Sequence, residues 1–236
     1  MEKEILKKLQ SLKNPEKSAT LQRFFKTKKG EYGEGDIFLG ITVPETRKIA
    51  HEYAAKISLP ETERLLHSKY HEARLAALLI LVEKYKKGEK REEVFNLYIQ
   101  NTDCINNWDL VDSSAYFIVG SHLEGKNKKL LEKFACSKNL WEKRIAMIST
   151  FHFIRKGSTK EAFQIAKILL KDKHDLIHKA VGWMLREAGK HCSRVELEAF
   201  LKKHKKEMPR TALRYTIEHF SEQQRKEYLA TKQKGD

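Results

Sequence analysis

The feature that most limits how this chain can fold is a repeat. Arg74, Asp109, Arg144 and Lys179 are evenly spaced, about 35 residues apart, and each is followed by two apolar residues, Leu75-Ala76, Leu110-Val111, Ile145-Ala146 and Ala180-Val181. Arg210, followed by Thr211-Ala212, forms a fifth, slightly early copy. This is the period of helix-pair solenoids. A helix pair cannot bury its apolar face alone, so successive pairs stack and share one core.

The local pattern agrees with the period. Apolar residues recur at steps of three and four in Leu65, Leu66, Ala73, Ala76, Ala77 and Ile80, and again in Ile145, Ile148, Phe153 and Ile154. Helix starts are legible as capping boxes at Thr42-Val43-Pro44-Glu45, Ser58-Leu59-Pro60-Glu61, Ser158-Thr159-Lys160-Glu161 and Ser193-Arg194-Val195-Glu196. No segment reads as a strand. The predicted fold is all-α, a curved solenoid of stacked antiparallel helix pairs with a concave basic face. Residues 1–236 are expected to form a single domain: 1–40 as N-terminal helices and a glycine-containing loop, 41–220 as the repeat core, 221–236 as a polar tail ending in a short helix.

Charge bears on the partner. There are 47 Lys and Arg against 32 Asp and Glu, a formal net charge of +15. Such an excess points to an anionic partner, nucleic acid first, although Lys-rich helices can also be plain solvated surface. The longest apolar run, Ala73 to Val82, is interrupted by Arg74 and is too short to span a bilayer. No apolar signal segment is read at the start, and the 3 cysteines have no close pair. A reducing, cytoplasmic setting is expected, with no disulfide framework, no metal and no membrane.

Within the repeat, Asn106-Asn107-Trp108-Asp109-Leu110-Val111-Asp112 stands out. Positions i and i+4 of a helix share a face, so Trp108 and Asp112 point at one target. An acid on the face of a polyanion binder suggests chemistry rather than affinity. Counted from the repeat anchors, Trp108, Asp112, Arg144, Lys179, Trp183 and Arg186 fall on one broad helical stripe. Periodicity alone leaves open the alternative that Trp108 and Trp183 are core tryptophans. Other signals are weaker. His174 and His178 are four apart but have no third ligand. Asp109 suits the first turn of its helix. Lys28 to Asp36, with Gly30, Gly33 and Gly35, reads as a flexible loop.

Four segments carry a family resemblance: Phe38-Leu39-Gly40-Ile41-Thr42-Val43-Pro44, Asn107 to Ser113, Leu140-Trp141-Glu142-Lys143-Arg144, and Lys179 to Glu187. In order and at repeat spacing, they resemble the AlkD family of bacterial DNA alkylation-repair glycosylases, built from HEAT-like repeats. The resemblance implies excision of positively charged N3- and N7-alkylated purines from duplex DNA, without metal or other cofactor, by a protein expected to act as a monomer. It implies Asp112 as the catalytic carboxylate, Trp108 and Trp183 flanking the lesion's deoxyribose, Arg144 on a phosphate and Arg186 lining the cleft. Lys179 joins this basic set as a repeat anchor. Phe24 falls near a position where relatives carry tyrosine, keeping the aromatic wall without the hydroxyl. Two alternatives remain: a non-catalytic DNA-binding relative, and a scaffold for an acidic protein partner.

Overall fold

A computed structural model describes residues 1–88 and 90–230. The expected tail beyond 230 lies outside the described residues. Those residues form an all-α, helical-repeat fold with no named strand, only an isolated bridge between Ile37 and Tyr70. The chain divides into two compact units, Met1–Ile118 and Val119–Asp236.

The first unit holds α1 (Glu2–Ser11), α2 (Pro15–Phe24), α3 (Val43–Ala54), α4 (Leu59–Leu66), α5 (His71–Lys87), α6 (Arg91–Gln100), a 3-10 turn (Thr102–Cys104) and α7 (Trp108–Asp112). Helix α5 is its axis and packs against α1, α3, α4, α6 and α7. That position explains its composition. Leu75 to Val82 is apolar on every side, and each of those residues is 2% exposed or less. Burying one such side chain contributes roughly 1.5–3 kcal/mol, so this helix is the main source of cohesion here. Both expected capping boxes close: Thr42 with Glu45 starts α3 and Ser58 with Glu61 starts α4.

The segment before α3 is held from beneath. The Glu72 carboxylate, 2% exposed, accepts hydrogen bonds from the amides of Leu39, Gly40 and Ile41 at 2.8–3.2 Å. Gly40 is required there. Its φ is +87°, and a Cβ would lie 2.2 Å from the Asn14 carbonyl oxygen.

The second unit holds α8 (Lys129–Ala135), α9 (Leu140–Ser149), α10 (Phe151–Arg155), α11 (Lys160–Leu169), α12 (Asp175–His191), α13 (Arg194–His204), α14 (Arg210–Thr216) and α15 (Glu222–Leu229). The repeat register is visible in its contacts. Anchor-bearing helices α9, α12 and α14 pack side by side, while α8 and α11 pack as their partners. Gly182, inside α12, permits this: a Cβ there would lie 2.5 Å from both the Ala212 carbonyl oxygen and the Tyr215 Cβ on α14.

Two expected capping boxes are only half formed. Ser193 accepts from the Glu196 amide, but the Glu196 carboxylate accepts from Thr159 instead of turning back. Ser158 donates to Glu161, yet the residue at the helix boundary is Thr159. At Ser193 a distant side chain captures the glutamate, whereas at Ser158 the local side-chain bond forms but the helix starts one residue later. A box that the sequence reading passed over, Ser221 with Gln224, starts α15.

Candidate functional site

In the first unit the site is built on α7. Asn107 caps it, accepting from the Trp108 amide at 2.9 Å. Leu110 and Val111 are fully buried beneath it. Trp108 opens the helix and Asp112 closes it, one turn apart and each half-buried. The shared face expected from their spacing is therefore present on a short, well-anchored helix. Asp112 also lies close enough to the buried Tyr98 to act on its hydroxyl, whose pKa is raised mainly by burial.

Trp108 is the outer rung of an aromatic stack. Its ring lies 5.0 Å from Phe25 at 16°, Phe25 lies 4.9 Å from Phe38 at 22°, and Phe38 lies 4.2 Å from His71 at 22°. Phe24 meets the indole edge-on at 6.0 Å and is 62% exposed, so it forms an open aromatic wall beside Trp108. The sequence reading singled out Phe24. It missed Phe25, the residue that fixes the plane of the indole.

Beneath the stack lies a buried ionic cluster. His71, 1% exposed, sits between two carboxylates, with Nδ1 3.0 Å from Asp36 and Nε2 2.8 Å from Asp109. Arg74 donates to Asp36 as well. Asn106 and Asn107, immediately before α7, donate to Asp36 at 3.1 and 3.2 Å. Burial pulls the His71 pKa down, but the charges and hydrogen bonds of Asp109 and Asp36 outweigh it and hold the group up at about 9. Burial raises the Asp36 carboxyl, and its bonds to His71 and the Arg74 charge outweigh that, leaving it below its ordinary value. With His71 protonated, two cations face two anions and the cluster is neutral. It anchors the start of α7 without adding a net charge.

This corrects one expectation and extends another. The segment Lys28 to Asp36 was expected to be a flexible loop, but it is tied down. Glu31 and Glu34 accept from the loop's own amides of Lys28 and Gly30, and a Cβ on Gly33 would lie 2.5 Å from the Phe25 carbonyl oxygen. Asp36 is 4% exposed and accepts from four side chains. Asp109 does serve the first turn, accepting from the Leu110 amide, but its second oxygen holds His71. The only sequence signal for this network was the period itself, since Asp36 and His71 are 35 residues apart.

The same unit also holds a cavity of about 580 Å³ behind the stack, lined chiefly by Leu21, Phe25, Phe38, Ile41, Val43 and Leu75.

In the second unit the basic and aromatic candidates collect around α12. Arg144, on α9, is 5% exposed and donates to the Leu176 carbonyl at 2.6 Å. Lys179 pairs with Asp175 at 2.7 Å. Trp183 is half-buried; its indole N–H donates to Glu187 at 3.2 Å, and Phe151 lies 6.4 Å away. Arg186 pairs with Glu187 at 3.0 Å and with Glu218. Trp183 and Arg186 thus share one carboxylate. The reading of Trp108 and Trp183 as core tryptophans does not hold, because both keep part of their surface open. Trp141 fills that role at 7% exposed.

His174 and His178 are otherwise engaged. His174 accepts from the Leu176 amide as the helix cap, and His178 bonds the Asp172 carbonyl at 2.7 Å. Among the described residues no group of three His, Cys, Asp or Glu side chains is placed to hold a metal ion, and no helix is long and apolar enough to cross a membrane.

Comparison with known proteins adds a direct finding. The family model described as "DNA alkylation repair enzyme" matches residues 5–220. A solved structure, "Predicted DNA alkylation repair enzyme from Enterococcus faecalis", superposes with a TM-score of 0.70 at 19% identity, covering 89% of this chain and 97% of that one. At that identity the likeness establishes the fold alone. No curated protein matches. With a family match that spans nearly all of the helical repeats, the chain belongs to the DNA alkylation repair enzyme family.

Proposed function

We propose that this protein is a monofunctional DNA glycosylase that hydrolyses the N-glycosidic bond of positively charged N3- and N7-alkylated purines in duplex DNA. The observation that carries the reading is a half-buried carboxylate, Asp112, one helical turn from an indole whose plane is fixed by stacking. Both belong to a chain with a net charge of +15. Duplex DNA containing alkylated bases is the partner that fits this charge and this family.

The chemistry follows from charge. A cationic alkylpurine departs neutral, so no general acid is needed and one carboxylate can replace the usual pair. Positive charge then builds on the sugar near C1′. A fixed anion at that point stabilises it, and a preorganised group of this kind contributes about 3–4 kcal/mol. The Asp112 carboxylate also orients the attacking water. Trp108 offers an aromatic face to the sugar and the charged nucleotide, a contact contributing roughly 0.5–2 kcal/mol, and Trp183 offers an aromatic face to DNA on its own unit. Phe24 extends the aromatic wall. Arg144, Lys179 and Arg186 supply positive charge toward the phosphates, which fixes register without reading sequence. Because Arg186 is paired with Glu187 and Glu218, Lys179 with Asp175, and the buried Arg144 with the Leu176 carbonyl, each must exchange those partners for a phosphate.

The decisive experiment compares wild type with Asp112→Asn on methylated duplex DNA. Wild type should release 7-methylguanine or 3-methyladenine, and EDTA should not change the rate. The variant should fold normally and lose on the order of 10²–10³ in rate. Binding without release by wild type would replace the proposal with a non-catalytic role. Unchanged activity in the variant would remove Asp112 from the mechanism.

A further inference from the structure

A second chemical cluster lies in the first unit, apart from Trp108 and Asp112. Cys104, last residue of the 3-10 turn, places its Sγ 3.3 Å from Nδ1 of His67, and Nε2 of that ring lies 2.7 Å from Oδ1 of Asn101. The Asn101 amide has one workable orientation. Its Nδ2 donates to Oε1 of Glu63 at 3.1 Å and to the Leu97 carbonyl at 2.8 Å, and both of those groups only accept. The amide oxygen therefore faces His67. Since that oxygen also only accepts, the imidazole carries its proton on Nε2. Nδ1 is left as a lone-pair base pointed at the thiol. A thiol, a base within reach and a third group fixing the base's tautomer together form the arrangement that activates nucleophiles.

Exposure fits the same role. Asn101 is 7% exposed, while Cys104 is half-buried and His67 is open to solvent. The orienting group is thus dry and the reactive pair accessible. Burial pushes the Cys104 thiol up, the Arg74 charge opposes that, and the charges of Asp103 and Glu63 add to the rise. The resting group is then a neutral thiol that gives up its proton as the sulfur attacks. Arg74 is itself 6% exposed, and its Nε has no hydrogen-bond partner. An unused buried donor therefore sits on the residue whose charge already acts on this sulfur. The other cysteines lack such surroundings: Cys136 is exposed, and Cys192 donates to the Ile154 carbonyl.

We propose that Cys104 is a histidine-activated thiol that exchanges with small disulfides, a covalent modification site distinct from the Trp108–Asp112 segment. Sγ attacks one sulfur of R–S–S–R while His67 Nδ1 takes the thiol proton. The old S–S bond breaks, and its electron pair leaves with RS⁻. That thiolate collects the proton from the imidazolium and departs as RSH. Cys104 is oxidised to a mixed disulfide, and half of the small disulfide is reduced to a thiol. The step uses none of the DNA chemistry proposed above.

The test uses the full chain and a substoichiometric aromatic disulfide, 5,5′-dithiobis(2-nitrobenzoate), with site occupancy read by peptide mass spectrometry. Cys104 should load about tenfold or more faster than the more exposed Cys136 at neutral pH. His67→Gln should erase that advantage and leave the Cys136 rate unchanged. The Cys136 rate and the circular dichroism of each variant report that the fold is intact. Faster loading of Cys136 in wild type, or an unchanged Cys104 rate in His67→Gln, would overturn the proposal.

Discussion

The buried His71 gives the sharpest prediction about pH. Its folded pKa is raised to about 9 against an ordinary value of 6.5, by carboxylates 3.0 and 2.8 Å away. A group of this kind binds its proton more tightly in the folded chain than in the unfolded one. The resulting stabilisation is complete below about pH 6.5 and is lost as the pH rises through about 9. The difference amounts to about 3 kcal/mol, with a slope approaching 1.4 kcal/mol per pH unit in the middle of the window. With a denaturant slope of roughly 3 kcal/mol per molar, the urea midpoint of the first unit should fall by about 1 M between pH 6.5 and 9.5. The perturbation is His71→Gln. It leaves Asp109 without its cation and Asp36 with Arg74 as its remaining cation beside Asn106 and Asn107, and removing one partner of a buried pair costs about 3–5 kcal/mol. The variant should therefore be less stable at pH 6.5 and nearly insensitive to pH above it. The assay is urea unfolding followed by tryptophan fluorescence and far-ultraviolet circular dichroism at half-unit pH steps. Parallel midpoints for wild type and variant across this window would refute the argument, because the loss in wild type would then belong to other groups.

Other perturbations reach different parts of the molecule. Gly40→Ala should cost at least about 1–3 kcal/mol, because it combines a positive φ with a clash against the Asn14 carbonyl; an unchanged melting temperature would contradict that packing. Gly182→Ala should separate α12 from α14 and destabilise the second unit by about 1–3 kcal/mol, measurable as earlier hydrogen exchange in those helices. Arg144→Ala should weaken DNA binding alike for all sequences and lower the salt slope by about one; a sequence-dependent loss would mean that its charge is not directed to the backbone. Phe25→Ala should slow base release while leaving Asp112 in place, since it frees the plane of Trp108; an unchanged rate would show that the stack does not position the indole.

The repeat, the helical class and the starts of α3 and α4 were legible from residue spacing, because those features rest on local rules: the 3.6-residue period and side chains that reach three positions along the chain. Trp108 and Asp112 were legible for the same reason, being one turn apart on one helix. The support beneath them was not. Asp36, His71 and Asp109 meet across 35 and 38 residues of chain. Nothing in the segment around Asp36 distinguishes a buried acceptor from a solvated loop acid. Charge, too, was read only as a count. The sequence marks Arg186 as basic, but folding brings Glu187 and Glu218 to it, and buries Arg144 against a carbonyl. Local periodicity determined the helices and the candidate face. Which ionisable groups became desolvated, and which found partners, depended on contacts between residues distant in the chain, and only the tertiary structure decided that.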